Sequence, residues 1–449
     1  MVVEGWLARA ATARPQGTAL EAPGASWSYA ELLAAARAGA GDLAARGVGP
    51  GERVAIALPA GFGFAQALHA CLLLGAVAVP VDLRLGADER ARIAQQAAVI
   101  LEEPLDTTGA RDVLRTGAED DLRVGAEHDL DAIAVVIHTS GTASSPRPVE
   151  LSYGNFLWSA LGSAVALGVH PRERWLCALP VSHVGGLSIL LRSVIYATTA
   201  IVHERFDTDR VLRALRGGEV TLVSLVATTL TRLLEAGLSR PPSLRCALTG
   251  GGPVPAALVR RARAAGVPVS RTYGLSETCS QVTTTPVAAL QQEAPASLPL
   301  FCTRVQIAQD GEIMVAGPTV APASRDRDGW LHTGDLGTFD QRGGLEVTGR
   351  KSDTIVSGGE NVAPAEVEAV LEDHPDVLEA AVLGRADARW GEAVAAIVVV
   401  RPGRVLDGES VRAHCARALA PYKVPKHVVL RRERLPRTGS GKLLRRELH

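Results

Sequence analysis

Lysine is almost missing from this 449-residue sequence. Of 47 basic residues only Lys351, Lys423, Lys426 and Lys442 are lysines, which leaves 43 arginines. So broad a replacement reads as genomic base composition. Each lysine that survives it invites a reason, and all four fall in about the last hundred residues. Cysteine is sparse as well. The six, at 71, 177, 246, 279, 302 and 415, show neither CxxC spacing nor a crowded framework. That excludes a disulfide scaffold, argues against structural zinc, and fits the reduced thiols of a cytoplasmic protein. Neither sign of charge prevails, with 47 basic against 48 acidic residues. Electrostatics therefore gives no reason to expect nucleic acid or an anionic membrane as partner. No apolar run is long and unbroken. The nearest, FGFAQALHACLLLGAVAVPV at 62–81, carries Gln66 and His69 and is interrupted by Gly75 and Pro80, so it reads as a buried helix followed by a strand. The N-terminal stretch MVVEGWLARAATARP lacks the charged-then-apolar order of a secretory signal.

What the chain does have is length for two or three domains and a sizeable core. From about residue 50 to 280, short β-branched runs alternate with amphipathic helical stretches, the pattern of α/β layers with buried strands. RVAIALP, VAVPVD, AIAVVIH, RWLCALP, TAIVHE, VTLVSLV, LRCALTG and PVSRTYG are the predicted strands. After LRCALTG a glycine turn leads to a helix that Pro255 can open and Gly266 can end. Residues 300–350 read as short strands joined by Gly and Asp turns. Beyond GRKSD the helical pattern returns behind Pro364, with Val367, Val370 and Leu371 on one face. A strand pair, a helix around GESVRAHCARALA and the strand KHVVLR complete a small α+β unit. The expected architecture is a large multi-layer α/β domain with parallel sheets, residues 1–350, hinged to a small α+β domain, residues 351–449.

Several loops could carry chemistry. HTSGTASSPRPVE at 138–150 follows a predicted buried strand and offers Thr139, Ser140, Gly141 and Thr142 to phosphate oxygens, although no GK[ST] ends it as in a Walker loop. In RTYGLSETCSQV, Glu277 between Ser276 and Thr278 suits a hard divalent cation shared with phosphate, and Tyr273 could lie against a nucleobase. WLHTGDLG places Asp335 where a carboxylate can accept both hydroxyls of a ribose, with Arg350 fifteen residues on. PRTGSGK sets Lys442 in a Gly/Ser loop, from which an amine can be delivered and withdrawn. Singly, each of these reads equally well as a solvated turn, a surface ion pair or a tail charge.

Together and in this order, TSGT, PVSHVGGL, GGGPVP, TYGLSET, HTGD, GRKSDTIVSGGENVAPAEVE and the near-terminal TGSGK resemble the adenylate-forming acyl-CoA synthetase family over essentially the whole chain. Three stretches, HVGGLSILLRSVIY, GGGPVPAALV and TYGLSETCSQVTT, are similar to the branch that activates o-succinylbenzoate in menaquinone synthesis. The resemblance implies an ATP-, Mg²⁺- and coenzyme A-dependent acid-thiol ligase. It assigns the β- and γ-phosphates to Thr139, Ser140, Gly141 and Thr142, Mg²⁺ to Glu277, and the α-phosphate to Thr278. Lys442 would bridge carboxylate and phosphate oxygens. Adenine would be framed by Gly250, Gly251, Gly252, Tyr273 and Gly274, and ribose held by Asp335 and Arg350. His183, Arg192 and Ser276 would face the acid, with Arg192 the candidate for its second, unactivated carboxylate; Arg192 reads equally as half of a structural ion pair. The hinge would fall at Lys351 and Ser352, and Gly358 and Gly359 would line the pantetheine tunnel.

The sequence departs from the family pattern where Ala143 and Ser144 stand for Thr-Gly and where Arg147 and Pro148 stand for Lys-Gly, which loses glycine freedom and lysine geometry in the phosphate loop. The segment TVAPASRDRDG is also shortened. Competing readings are a ligase for another acid, an enzyme that loads a carrier protein, and a nucleotide-binding regulatory paralogue without turnover. Oligomeric state is left open by the sequence.

Overall fold

The computed structural model describes residues 1–106, 127–139, 147–292, 295–437 and 443–448. Most of the chain before residue 300 builds two sheets. In the nine-stranded sheet the spatial order is Leu298–Pro299, Thr283–Thr284, Val269–Tyr273, Cys246–Thr249, Leu222–Leu225, Arg174–Cys177, Thr199–Val202, Thr18–Ala22, Ala25–Ser28. Its six central strands pair in parallel, and antiparallel strands close both edges. The five-stranded sheet runs Val99–Leu101, Arg53–Ile56, Val77–Pro80, Ile133–Thr139, Arg147–Ser152, parallel except for the last strand. Parallel strands covered on both faces must be apolar throughout, and Cys246–Thr249 and Leu222–Leu225 are buried at every position. All eight predicted strands are present.

Helices form where caps and periodicity coincide. Ser152 and Asn155 make a reciprocal capping box for Tyr153–Leu167, as Ser28 and Glu31 do for Tyr29–Ala45. Phe62–Leu74 is apolar all round and correspondingly buried, with Gly75 ending it in a left-handed conformation. Pro255 caps Ala256–Ala264 from outside, one position before its expected place as the opening residue. Among the described residues no helix is long and apolar enough to cross a membrane. All six cysteines are unpaired, five of them buried.

The expected loop at 138–150 is shorter than its composition implies. Strand Ile133–Thr139 continues through His138 and Thr139, which pair antiparallel with Pro148 and Arg147 of the returning strand. Proline survives there because Arg147–Ser152 is an edge strand. Ser140, Gly141, Thr142, Ala143 and Ser144 lie outside the described residues.

A four-stranded antiparallel sheet, Arg304–Ile307, Glu312–Ala316, Trp330–Phe339 and Leu345–Arg350, leads to a single 3-10 turn, Lys351–Asp353. Beyond it the chain forms a separate five-stranded sheet with helices Pro364–Glu372 and Gly408–Ala416 packed on it over a core of its own. The molecule is thus a large α/β body followed by a small α+β one. Three features tie the far end of the chain into the smaller body. Arg437 and Leu443 form an antiparallel bridge. Arg445 holds Glu368 at 2.5 and 3.0 Å and donates to the Val382 carbonyl at 2.7 Å. Its Nε also lies 3.4 Å from Asp353 in the 3-10 turn. Among the described residues two exposed ion pairs cross between the bodies, Arg260 to Asp373 at 2.7 Å and Arg434 to Glu235 at 3.4 Å.

Candidate active site

Open α/β sheets bind ligands outside the carboxyl ends of their strands, and the singled-out motifs collect there. Cys246–Thr249 delivers Gly250 to Gly252, Val269–Tyr273 delivers Gly274 to Thr278, and Ile133–Thr139 leads to the hydroxyl-rich loop. Glycine is required at two of these positions. A Cβ on Gly250 would stand 2.5 Å from the Thr272 carbonyl oxygen, and one on Gly274 would stand 1.5 Å from that of Ser280. The second contact shows the chain folding back on itself at once. Residues Ser276–Thr278 make a 3-10 turn, after which Cys279 and Ser280 both take positive φ, 51° and 94°. Such backbone strain in two non-glycine residues persists only where surroundings impose it. Here Ser159 Oγ grips the Cys279 carbonyl at 2.6 Å, and Ala321 N donates to the Glu277 carbonyl at 2.7 Å.

The turn sets its side chains apart. Thr278 is fully buried, and its hydroxyl accepts from Leu275 N at 3.0 Å and donates to the Leu275 carbonyl at 3.1 Å, so its single O–H must leave that carbonyl before it can donate to a phosphate oxygen. Glu277 is partly exposed beside it, and its carboxylate makes no hydrogen bond or ion pair among the described residues. Among those residues there is no cluster of three metal-ligating side chains. A lone hard carboxylate fits Mg²⁺ that takes its other oxygens from phosphate and water.

Asp335 is nearly buried and engaged on both oxygens. Tyr273 OH donates to Oδ2 at 2.9 Å and Arg350 Nε to Oδ1 at 2.9 Å, while Thr333 Oγ1 accepts from its backbone amide at 3.1 Å. Burial, with the Asp335 charge adding to it, pushes the Tyr273 phenol well above its ordinary value. The phenol therefore stays a donor and holds the carboxylate in a fixed orientation. This joins Tyr273, Asp335 and Arg350, three residues far apart in sequence, into one acceptor site of the kind a vicinal diol needs.

Arg192 lies in the helix Val184–Tyr196 and is 3 % exposed. Its Nη2 donates to Ser159 Oγ at 2.9 Å, and its guanidinium carbon stands 5.8 Å from the Trp175 ring centroid. Its Nε has no partner, and no carboxylate pairs with it among the described residues. Burial draws its pKa down, the mark of an uncompensated desolvation cost. Of its two expected roles, the structural ion pair is the one these contacts leave out. Through Ser159 and the Cys279 carbonyl it adjoins the Glu277 turn. Ser188 has a buried hydroxyl that is likewise unpartnered among the described residues.

His183 caps the same helix without a side-chain cap bond and turns to Arg84 and Asp82, at 3.1 and 3.5 Å from its Nε2. Sequence reasoning missed these two. The only signal available was their place just after the strand Val77–Pro80. Gly358 and Gly359 both have positive φ, 62° and 86°, in the two-residue connection between Ile355–Ser357 and Glu360–Val362, so a tight hairpin turn is itself a reason for the glycine pair. Lys351 is paired with Asp310 at 2.5 Å and Glu312 at 3.2 Å, and Lys423 with Glu366 at 2.7 Å. Lys426 donates to the Pro421 carbonyl at 3.0 Å and lies over Trp390. Three of the scarce lysines thus have structural employment. Lys442 lies outside the described residues.

Residues 7–323 match the model of the AMP-binding enzyme family, and residues 366–442 match that of the AMP-binding enzyme C-terminal domain. The 2-succinylbenzoate--CoA ligase of Bacillus subtilis (strain 168) is 39% identical over 99% of this chain and 97% of its own. The o-succinylbenzoate CoA synthetase (MenE) of Bacillus subtilis in complex with the acyl-adenylate intermediate OSB-AMP superposes with a TM-score of 0.87 at 38% identity, over 100% of this chain and 98% of that one. Its complex with ATP and magnesium ion gives the same score and identity over 100% of both chains. A double mutant of that enzyme bound with its product analogue OSB-NCoA is again 38% identical over 100% and 98%, yet scores 0.71. By sequence over its full length and by fold, the chain belongs to the AMP-binding enzyme family.

Proposed function

We propose that this chain ligates o-succinylbenzoate to coenzyme A at the expense of ATP, through an acyl-adenylate, as a step of menaquinone biosynthesis. The observation that carries the choice of acid is Arg192. A buried guanidinium without an anion is costly, and the cost is offset when a ligand brings the missing charge. An acid with a second carboxylate supplies it; a simple benzoate or fatty acid does not.

Adenylation drives one anion onto the α-phosphorus of another, so the barrier is mainly electrostatic and preorganised donors and cations lower it. In this reading Asp335 and Arg350 hold the ribose, with Tyr273 fixing the carboxylate. Gly250 to Gly252, Tyr273 and Gly274 border adenine, and Thr139 with the residues following it receives the β- and γ-phosphates. Glu277 orients Mg²⁺, which neutralises phosphate charge. Thr278 turns its hydroxyl from the Leu275 carbonyl to donate to the α-phosphate, Ser276 and His183 border the acid, and Lys442 neutralises the carboxylate and phosphate oxygens as they meet.

Thioester formation needs the space near the acyl carbonyl for a thiol, which calls for a second placement of the smaller body. Lys351 is fastened to the larger body through Asp310 and Glu312, and Asp353 to the smaller through Arg445. Ser352, between them, is the residue left to pivot, so we place the boundary there, within the expected Lys351 and Ser352 hinge. Gly358 and Gly359 would then approach the pantetheine arm.

The test is acid-dependent release of AMP and pyrophosphate, with and without coenzyme A, across o-succinylbenzoate, benzoate and fatty acids. The expected result is turnover with o-succinylbenzoate at least a hundredfold above the monocarboxylates, set by about 3 kcal/mol from a desolvated ion pair. Equal turnover of benzoate would overturn the choice of acid. Adenylation of o-succinylbenzoate without transfer to free coenzyme A would indicate a carrier-loading enzyme.

A further inference from the structure

The contact between Arg84 and His183 joins the carboxyl edges of the two large sheets. Asp82 and Arg84 follow the strand Val77–Pro80 of the smaller sheet, and His183 begins the helix after the strand Arg174–Cys177 of the larger. Arg84 grips Asp82 as a fork: its Nε lies 2.8 Å from Oδ1 and its Nη2 2.5 Å from Oδ2, while the Arg84 backbone amide reaches Oδ1 at 3.0 Å. Burial pushes Asp82 upward, but the bonds from Arg84 outweigh it and hold the carboxyl below the usual range. The same Nη2 lies 3.1 Å from His183 Nε2. Nη2 carries two hydrogens, one for each partner.

Guanidinium has no lone pair to give, so an imidazole nitrogen facing it must be the acceptor. The competing arrangement, in which Nε2 bears the proton and donates to Asp82, would span 3.5 Å, beyond a good hydrogen bond, and would push an N–H against the guanidinium. The shorter contact decides between them. The geometry points to Arg84, anchored by Asp82, as a positioning residue that holds His183 neutral, protonated on Nδ1, with its ring plane fixed during adenylation.

The chemical consequence follows from the proposed function and rests on it. An imidazolium bordering the acid site would pair with the incoming carboxylate and blunt it as a nucleophile. A neutral ring borders the acid without capturing it. Arg84 thereby protects the reactivity of an anion that it does not itself touch.

The tautomer is read directly from nitrogen-15 NMR of histidine-labelled full-length protein, with His183→Gln used to assign the signal, and this reading is independent of which acid is the substrate. The expected result in the wild type is an Nε2 shift of the unprotonated type and a ring that stays neutral down to about pH 6. In Arg84→Met, the ring loses its repelling neighbour while Asp82 stays beside it, so its midpoint should rise by about one pH unit or more. Acid-dependent pyrophosphate release by that variant should then fall about tenfold from pH 8 to pH 6, a limb absent from the wild type. Arg84→Lys, which keeps a donor, should restore most of the wild-type profile. A protonated Nε2 in the wild type would overturn the assignment even if no variant folded. A pH-independent loss in Arg84→Met with the histidine midpoint unmoved would overturn it as well.

Discussion

Replacing Arg192 with methionine, which keeps much of its length and volume, separates a ligand-seeking cation from a structural one. Breaking a native buried ion pair costs roughly 3–5 kcal/mol because a partner is left charged and alone. Arg192 has no such partner among the described residues; only Ser159 loses a donor, worth about 1 kcal/mol, and the desolvation cost of the guanidinium disappears with it. The free variant should therefore melt within a few degrees of the wild type, or above it. Catalysis should respond in the opposite way. A charge-assisted bond to the second carboxylate of o-succinylbenzoate is worth roughly 1.5–3 kcal/mol, so kcat/KM for that acid should fall about 10- to 150-fold. The KM for ATP should be unchanged, and a monocarboxylate analogue should be used no worse than by the wild type. Pyrophosphate release with each acid, together with a melting curve, measures all of these. A drop in Tm of ten degrees, or equal losses for both acids and ATP, would refute the reasoning.

Lys442→Ala should abolish adenylation yet spare thioester formation from a supplied acyl-adenylate, and loss of both halves to one degree would count against two placements of the smaller body. Gly274→Ala sets a methyl 1.5 Å from the Ser280 carbonyl oxygen and must displace the Glu277 turn. At least a hundredfold loss of pyrophosphate release is expected with the circular dichroism retained, since ångström-scale misplacement has that effect; activity within threefold of wild type would contradict the contact. Glu372 is held up to about 7, first by burial and then by Glu368, with Glu379 adding to it and Arg437 and the Ala380 amide opposing. A carboxyl raised on folding stabilises the fold below its unfolded value near 4.5, and this contribution fades as pH rises through 7. Stability should thus fall by about 2 kcal/mol between pH 4.5 and 7.5, and Glu372→Gln should flatten that slope in urea titrations at each pH.

The central parallel strands were legible because burial on both faces writes them as apolar runs bounded by glycine and proline. Arg147–Ser152 was not, because Pro148 and a polar sequence disguise an edge strand whose pairing is decided by its neighbour. The hairpin Thr18–Ala22 and Ala25–Ser28 joins the large sheet by pairing with Thr199–Val202, a contact across some 180 residues that local periodicity cannot announce. In the site, motif order indicated Tyr273, Glu277, Asp335 and Arg350. The bond from Tyr273 to Asp335, the burial of the Thr278 hydroxyl and the isolation of Arg192 are three-dimensional facts. Asp82 and Arg84 escaped notice because nothing in VDLRL distinguishes an ordinary surface turn from one facing His183.

Arg445 sits only a few positions from the carboxyl end, yet it fastens a helix, a strand and the turn preceding the smaller body. A polypeptide halted just after residue 442 would leave Glu368 and Asp353 deprived of their cation.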